Sequence, residues 1–219
     1  MGEIKLQNKT YSRNEEIANI ITHGIGTALS IAGLAILVVF AARQSDAWKM
    51  VSFSIYGSTL VLLYLASTLY HSMRGQKVKA FFKLIDHASI YILIAGTYTP
   101  FMLINLRGPW GWSMFGSIWG LAILGVLFKV FFIGKAKKLS VIVYLFMGWL
   151  CLIALKEMLA NIPLGGLILL AVGGLLYTFG VIFYIWHKLP YNHAIWHLFV
   201  LGGSISHYFS ILFYILPQN

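Results

Sequence analysis

Residues 164–186 read LGGLILLAVGGLLYTFGVIFYIW, a run without one acidic or basic side chain. A helix needs roughly 20 apolar residues to cross a hydrocarbon core about 30 Å thick. This run supplies that length, and Gly173, Gly174 and Gly180 let neighbouring backbones approach closely in lipid. Six further stretches of the same character predict spans at 17–42, 50–72, 81–106, 110–132, 139–160 and 191–216. The third is the least apolar, because Lys83, Asp86 and His87 fall in its first two turns. The expected fold is therefore all-α: a seven-transmembrane helix bundle occupying residues 16–219 as a single domain, behind a short polar tail at 1–15.

Composition sets the solvent. Hydrophobic residues make up 59% of 219 and charged residues 10%, with a mean hydropathy of +0.82, which excludes an ordinary soluble domain. The tail is polar (Glu3, Lys5, Lys9, Arg13, Glu15), and the apolar run behind it is too long for a signal-peptide core. The first span is thus expected to stay as an anchor. Cys151 is the single cysteine and lies inside an apolar run, so neither a disulfide framework nor a thiolate metal site is available.

The basic residues orient the bundle. On the side of the N-terminus fall Lys5, Lys9, Arg13, Arg74, Lys77, Lys79, Lys83, Lys129, Lys135, Lys137, Lys138 and Lys188; only Arg43, Lys49, Arg107 and Lys156 of the 16 fall on the other. The positive-inside rule then predicts a cytoplasmic N-terminus and an external C-terminus. Basic loops facing an anionic inner leaflet account for the net charge of +10 without a nucleic-acid partner. Trp48, Trp110, Trp112 and Trp186 lie at span ends, as interfacial belts require. Gly116-x3-Gly120 forms a small-residue motif that is expected to pack within the bundle rather than to join two copies.

Inside the spans, polar residues gather at one depth. His193-Ala194-Ile195-Trp196-His197 puts two imidazoles on one helix face, the spacing with which a helix offers two nitrogen ligands to one metal ion. Histidine in a membrane helix is costly to desolvate, so two on one stripe call for a partner. The second span ends, and the third and seventh begin, on the cytoplasmic side. Ser67, His71, Asp86, His193 and His197 are thereby delivered to the same layer. Three neutral imidazoles suit zinc with a fourth position open to water, whose pKa such an ion lowers to about 7. Asp86 would then take or hold the water's proton, and Ser67 would hydrogen-bond the water or an oxyanion. Taken singly, each has a plainer reading: Ser67 bonding to its own turn, His71 solvated at a span end, Asp86 paired with Lys83 or His87. His23 is placed in a supporting layer or in packing, His207 near mid-membrane, and His187 at the interface.

The set Ser67-x3-His71, Asp86 and His193-x3-His197, with Glu16-x2-Asn19-x2-Thr22-His23 at the first span, resembles the hemolysin III family, the bacterial branch of the progestin and adiponectin receptor superfamily. The resemblance covers nearly the whole chain. It implies a multi-pass protein of the cell membrane in which His71, His193 and His197 bind zinc and Asp86 contacts the zinc-bound water. It further implies kinship with ceramide-type amide hydrolases, hence zinc-dependent hydrolysis of an amide or ester in a lipid-like substrate that enters from the inner leaflet. The alternative it carries is a non-enzymatic cytolytic, haemolytic pore-forming or membrane-stress protein in which zinc is structural. Membrane lipids are the expected partners.

Overall fold

The computed structural model describes residues 11–132 and 137–216. Glu3, Lys5, Lys9 and Lys135 of the tail and charge readings, and most of the 1–15 segment, lie outside the described residues. Among those described there is no strand. The elements are α1 (Arg13–Arg43), α2 (Ala47–Ser72), α3 (Gln76–Pro100), α4 (Pro109–Phe132), α5 (Lys137–Trp149), α6 (Leu155–Asn161), α7 (Leu164–Ile185) and α8 (Asn192–Tyr214). A π-helical turn, Phe101–Asn105, follows α3, and a 3-10 turn, Leu150–Ala154, joins α5 to α6.

Among the described residues, six helical stretches are long and apolar enough to cross a membrane: Arg13–Arg43, Ala47–Ser72, Pro109–Phe132, Lys138–Asn161, Leu164–Ile185 and Asn192–Tyr214. The expected third span does form a helix, of 25 residues, but Lys77, Lys79, Lys83 and Asp86 make its first half polar. It is also among the most enclosed elements, with Tyr91, Leu93, Ala95 and Tyr98 in the core. Elsewhere apolar side chains such as Ile21, Ile25, Leu124 and Phe131 face outward, the arrangement of a protein whose solvent is lipid.

Helix ends follow local chemistry. Ser12 and Glu15 close a reciprocal capping box at the start of α1, with Ser12 N–H donating to Glu15 Oε2 at 2.9 Å and Glu15 N–H to Ser12 Oγ at 3.3 Å. Asp46 caps α2 by accepting from the amides of Trp48 and Lys49 at 2.9 and 3.1 Å. Pro100 has no amide to donate, and the chain widens there into the π turn instead of continuing as α-helix. The fifth expected span, 139–160, is broken by the 3-10 turn. Tyr98 satisfies the opened backbone: its hydroxyl donates to the carbonyls of Met147 and Gly148 at 2.9 and 3.0 Å and accepts from Cys151 N–H at 2.8 Å.

Small residues set how closely the helices pack. A side chain at Gly26 would strike the Tyr64 ring, and one at Gly125 the Tyr91 ring. Gly173 and Gly180 likewise lie against His207 and against Phe199 and Trp196. Gly116 and Gly120 differ from expectation. An added Cβ at either meets nothing within 4 Å, so this pair does not serve packing within the chain. At the end remote from the histidines, Lys49 Nζ donates to Gln44 Oε1 at 2.9 Å and to the Leu216 carbonyl at 3.2 Å, while Gln44 Nε2 donates to the same carbonyl at 3.1 Å. A buried cation thus seals the carbonyl end of α8 against the α1–α2 corner.

Candidate metal centre

His71 closes the last turn of α2, and His193 and His197 lie on the first turns of α8. The left-handed backbone at Tyr191 (φ 55°) starts α8 abruptly, and its amide is held by Glu15 Oε1 at 3.2 Å, tying the start of α8 to the start of α1. The three histidines offer ligand atoms that all lie within 4.8 Å of one another, close enough for one ion to draw together. His71 and His197 are 3% and 1% exposed, and His193 is partly buried. His71 Nε2 is buried and has no hydrogen-bond partner in the protein. An unmatched nitrogen facing two further imidazoles is what a ligand set looks like when its chemistry requires a cation.

α1 fixes which nitrogens are free. Glu16 Oε2 lies 2.6 Å from His71 Nδ1 and accepts a hydrogen bond from it, so that in the neutral ring Nε2 keeps its lone pair for the cluster. Glu16 Oε1 is in turn held by Lys79 Nζ at 2.5 Å. Thr22 Oγ1 lies 3.1 Å from His197 Nδ1 and within reach of the Ala18 and Asn19 carbonyls at 2.9 and 3.0 Å; with its one proton given to either carbonyl, it is the acceptor toward Nδ1. Two of the three histidines are therefore held by α1, through positions 16 and 22. Tyr11, just before α1, stacks on His193 with ring centres 5.3 Å apart and meets the His71 ring edge-on at 5.9 Å. Burial raises the Tyr11 phenol above the ordinary tyrosine range, so it stays a neutral aromatic lid over the rings.

Asp86, His193 and His197 line one cavity of about 160 Å³ that runs among α3, α5, α7 and α8, mostly past apolar side chains, as far as His207. Asp86 Oδ2 lies 3.1 Å from His87 Nδ1, which also donates to the Lys83 carbonyl at 2.9 Å. His87 therefore pairs with Asp86, as the plainer reading had it, and lines the same cavity. Ser67 is 1% exposed with its hydroxyl unpartnered, so the plain reading of a serine bonded to its own turn does not describe it. Ser67 and His71 stand on α2 outside the set that lines the cavity. His23 is 4% exposed, stacks on His197 at 3.4 Å and also lines the cavity. His187 is exposed at the end of α7 and takes no part.

Glu16, Thr22 and Tyr11 hold the site together, yet the polar layer read from the sequence did not include them. The available signal was a carboxylate and a hydroxyl six residues apart, about 120° round a helix from one another.

These features define a class: a multi-pass, all-helical membrane protein with three histidines gathered from two helices where a metal ion could be held. Comparison with known proteins makes it particular. The chain belongs to the haemolysin-III related family, which matches residues 11–208. It is 52% identical over 213 residues to Hemolysin-3 of Bacillus cereus, covering 97% of each chain. It is 52% identical over 204 residues to the Hemolysin-3 homolog of Bacillus subtilis (strain 168), covering 93% of this chain and 96% of that one. The monocyte to macrophage differentiation factor of Homo sapiens is 32% identical over 207 residues, covering 92% of this chain and 84% of the human one.

Proposed function

We propose that this protein is a zinc-dependent hydrolase of an amide or ester bond in a lipid-like, ceramide-type substrate, with His71, His193 and His197 as the metal ligands. In this reading α3 is a seventh span, the N-terminus and the histidine layer face the cytoplasm, the C-terminus lies outside, and residues 16–219 form one domain. The observation that carries the reading is the position of Asp86, His193 and His197 on the wall of a largely apolar cavity, with His71 beside the two histidines. A polar reacting group would sit at the cluster while its chain occupies the apolar part. A pore has no need of such an apolar arm beside its metal.

The residues present fit zinc: three imidazoles, two of them held by α1, and one orphaned nitrogen in His71. Zinc, when bound, supplies a Lewis acid that polarises a carbonyl and makes water acidic. The chain does the rest. Asp86, steadied by His87, accepts the proton of the attacking water and passes it to the leaving group. Ser67 keeps its hydroxyl free of its own helix four residues before His71, available to a developing oxyanion. The buried cluster and the Tyr11 lid limit water beyond the one that reacts.

The test is Asp86→Ala. It should leave most of the metal in place and lower hydrolysis by about 10²- to 10⁴-fold. Zinc content, cleavage of a panel of ceramide-like amides and esters, and red-cell lysis are measured side by side on wild type and variant. A fully metallated wild type that cleaves none of them, with lysis unchanged by removing Asp86, would leave the cytolytic alternative suggested by the relatives' names.

A further inference from the structure

The far end of the cavity carries a polar feature that hydrolysis at the histidine cluster does not use. His207 lines the cavity ten residues beyond His197 on α8, hence about 15 Å further along the helix axis. Its Nε2 lies 3.1 Å from the Leu170 carbonyl. A carbonyl only accepts, so Nε2 bears the ring proton and Nδ1 is an acceptor. That Nδ1 is buried and has no partner.

Every neighbouring polar side chain at this level is already committed. Thr97 donates to the Leu93 carbonyl at 2.8 Å and Thr178 to the Gly174 carbonyl at 2.7 Å. Trp149 Nε1 donates to Thr178 Oγ1 at 3.0 Å, and Tyr98 donates to the carbonyls of the 3-10 turn. Tyr177 and Ser204 are bonded to each other at 2.7 Å. At this level the wall carries an unmet acceptor in His207 Nδ1, which disfavours a purely apolar occupant there and favours one that brings a donor.

We infer that the cavity selects a lipid chain bearing a hydroxyl group far from its reacting amide or ester, with His207 Nδ1 accepting the hydrogen bond. The inference rests on the reading of the cavity as a lipid-chain site. Fifteen ångströms is about half the thickness of a bilayer's hydrocarbon core, so the hydroxyl would lie near the distal end of a chain one leaflet long. His207 is then a specificity determinant, remote from the metal and needed for neither metal binding nor bond cleavage.

The experiment uses the full chain in detergent and an equimolar mixture of two non-cleavable ketone analogues of a long-chain amide. They are identical except for one hydroxyl about 15 Å from the ketone, and native mass spectrometry reads the ratio of the two adducts. The wild type should favour the hydroxylated analogue about five- to tenfold. His207→Leu should bring the ratio to about one while keeping its metal and its adduct with the plain analogue. Equal adducts on the wild type overturn the inference and leave the lipid-chain reading standing, as they would if water satisfied Nδ1. A preference that survives in His207→Leu overturns the assignment to His207. An absence of both adducts refutes the lipid-chain reading itself, and the inference with it.

Discussion

Glu16 offers the sharpest test of how the site is built, because it touches no proposed substrate and yet holds a proposed ligand. Its carboxylate is 2.6 Å from His71 Nδ1 and is anchored on its other oxygen by Lys79. Loss of such a partner from a metal-ligating histidine costs about 10- to 100-fold in affinity, equivalent to ~1.4–2.7 kcal/mol. Glu16→Ala should reach the upper part of that range, since it removes the acceptor that fixes the tautomer and leaves Lys79 without its counter-ion. Glu16→Gln keeps an acceptor oxygen but exchanges a charged hydrogen bond for a neutral one. That difference is about 1 kcal/mol, or roughly fivefold in affinity. The assay is competition between the purified protein and a chelator of graded strength, with His71→Ala as the control that should lose the ion outright. A graded series, wild type above Gln above Ala, is the expected result. Unchanged affinity in Glu16→Ala, with His71→Ala stripped, would show that the contact positions nothing, and retention of metal by His71→Ala would refute the ligand set.

Reporter fusions after Gln76 and after Asn219 should report opposite sides of the membrane, Gln76 cytoplasmic; matching signals would mean that α3 does not cross. Gly26→Ala places a methyl group on the Tyr64 ring, whose hydroxyl donates to Ser204 Oγ at 2.7 Å. It should destabilise the bundle by about 1–3 kcal/mol, read as a lower melting temperature in detergent. Gly116→Ala, facing open space, is the matched control and should leave the melting temperature unchanged.

The parts of this fold that could be read from the sequence are those governed by one-dimensional quantities. Apolar runs such as 164–186 gave helices at nearly the expected positions, because run length and solvent decide whether a segment spans. His193 and His197 could be paired because i, i+4 geometry is local, and His71 joined them because the alternation of helices sets depth. What escaped was lateral. Nothing in the order of residues says which face of α1 meets α2 and α8, so Glu16 and Thr22 could be noticed as a pattern but not assigned to His71 and His197. The break between α5 and α6 is likewise decided from another helix, by Tyr98, and no glycine or proline within 150–154 marks it. The GxxxG motif misled for the related reason that a small-residue face records only that close approach is permitted. It does not record whether a neighbour is there.

Tyr11 bears on time rather than on affinity. Its ring lies over His193 and against the edge of His71, so two of the three proposed ligands are roofed on that side. An ion beneath that roof would leave only when the Tyr11 ring lifts, and its escape rate would then report the free energy of that local opening and not the strength of three nitrogen–metal bonds. Two preparations with the same equilibrium affinity could therefore differ widely in how long they keep their metal during purification. The residue that governs the difference would be a tyrosine that donates no bond to the ion at all.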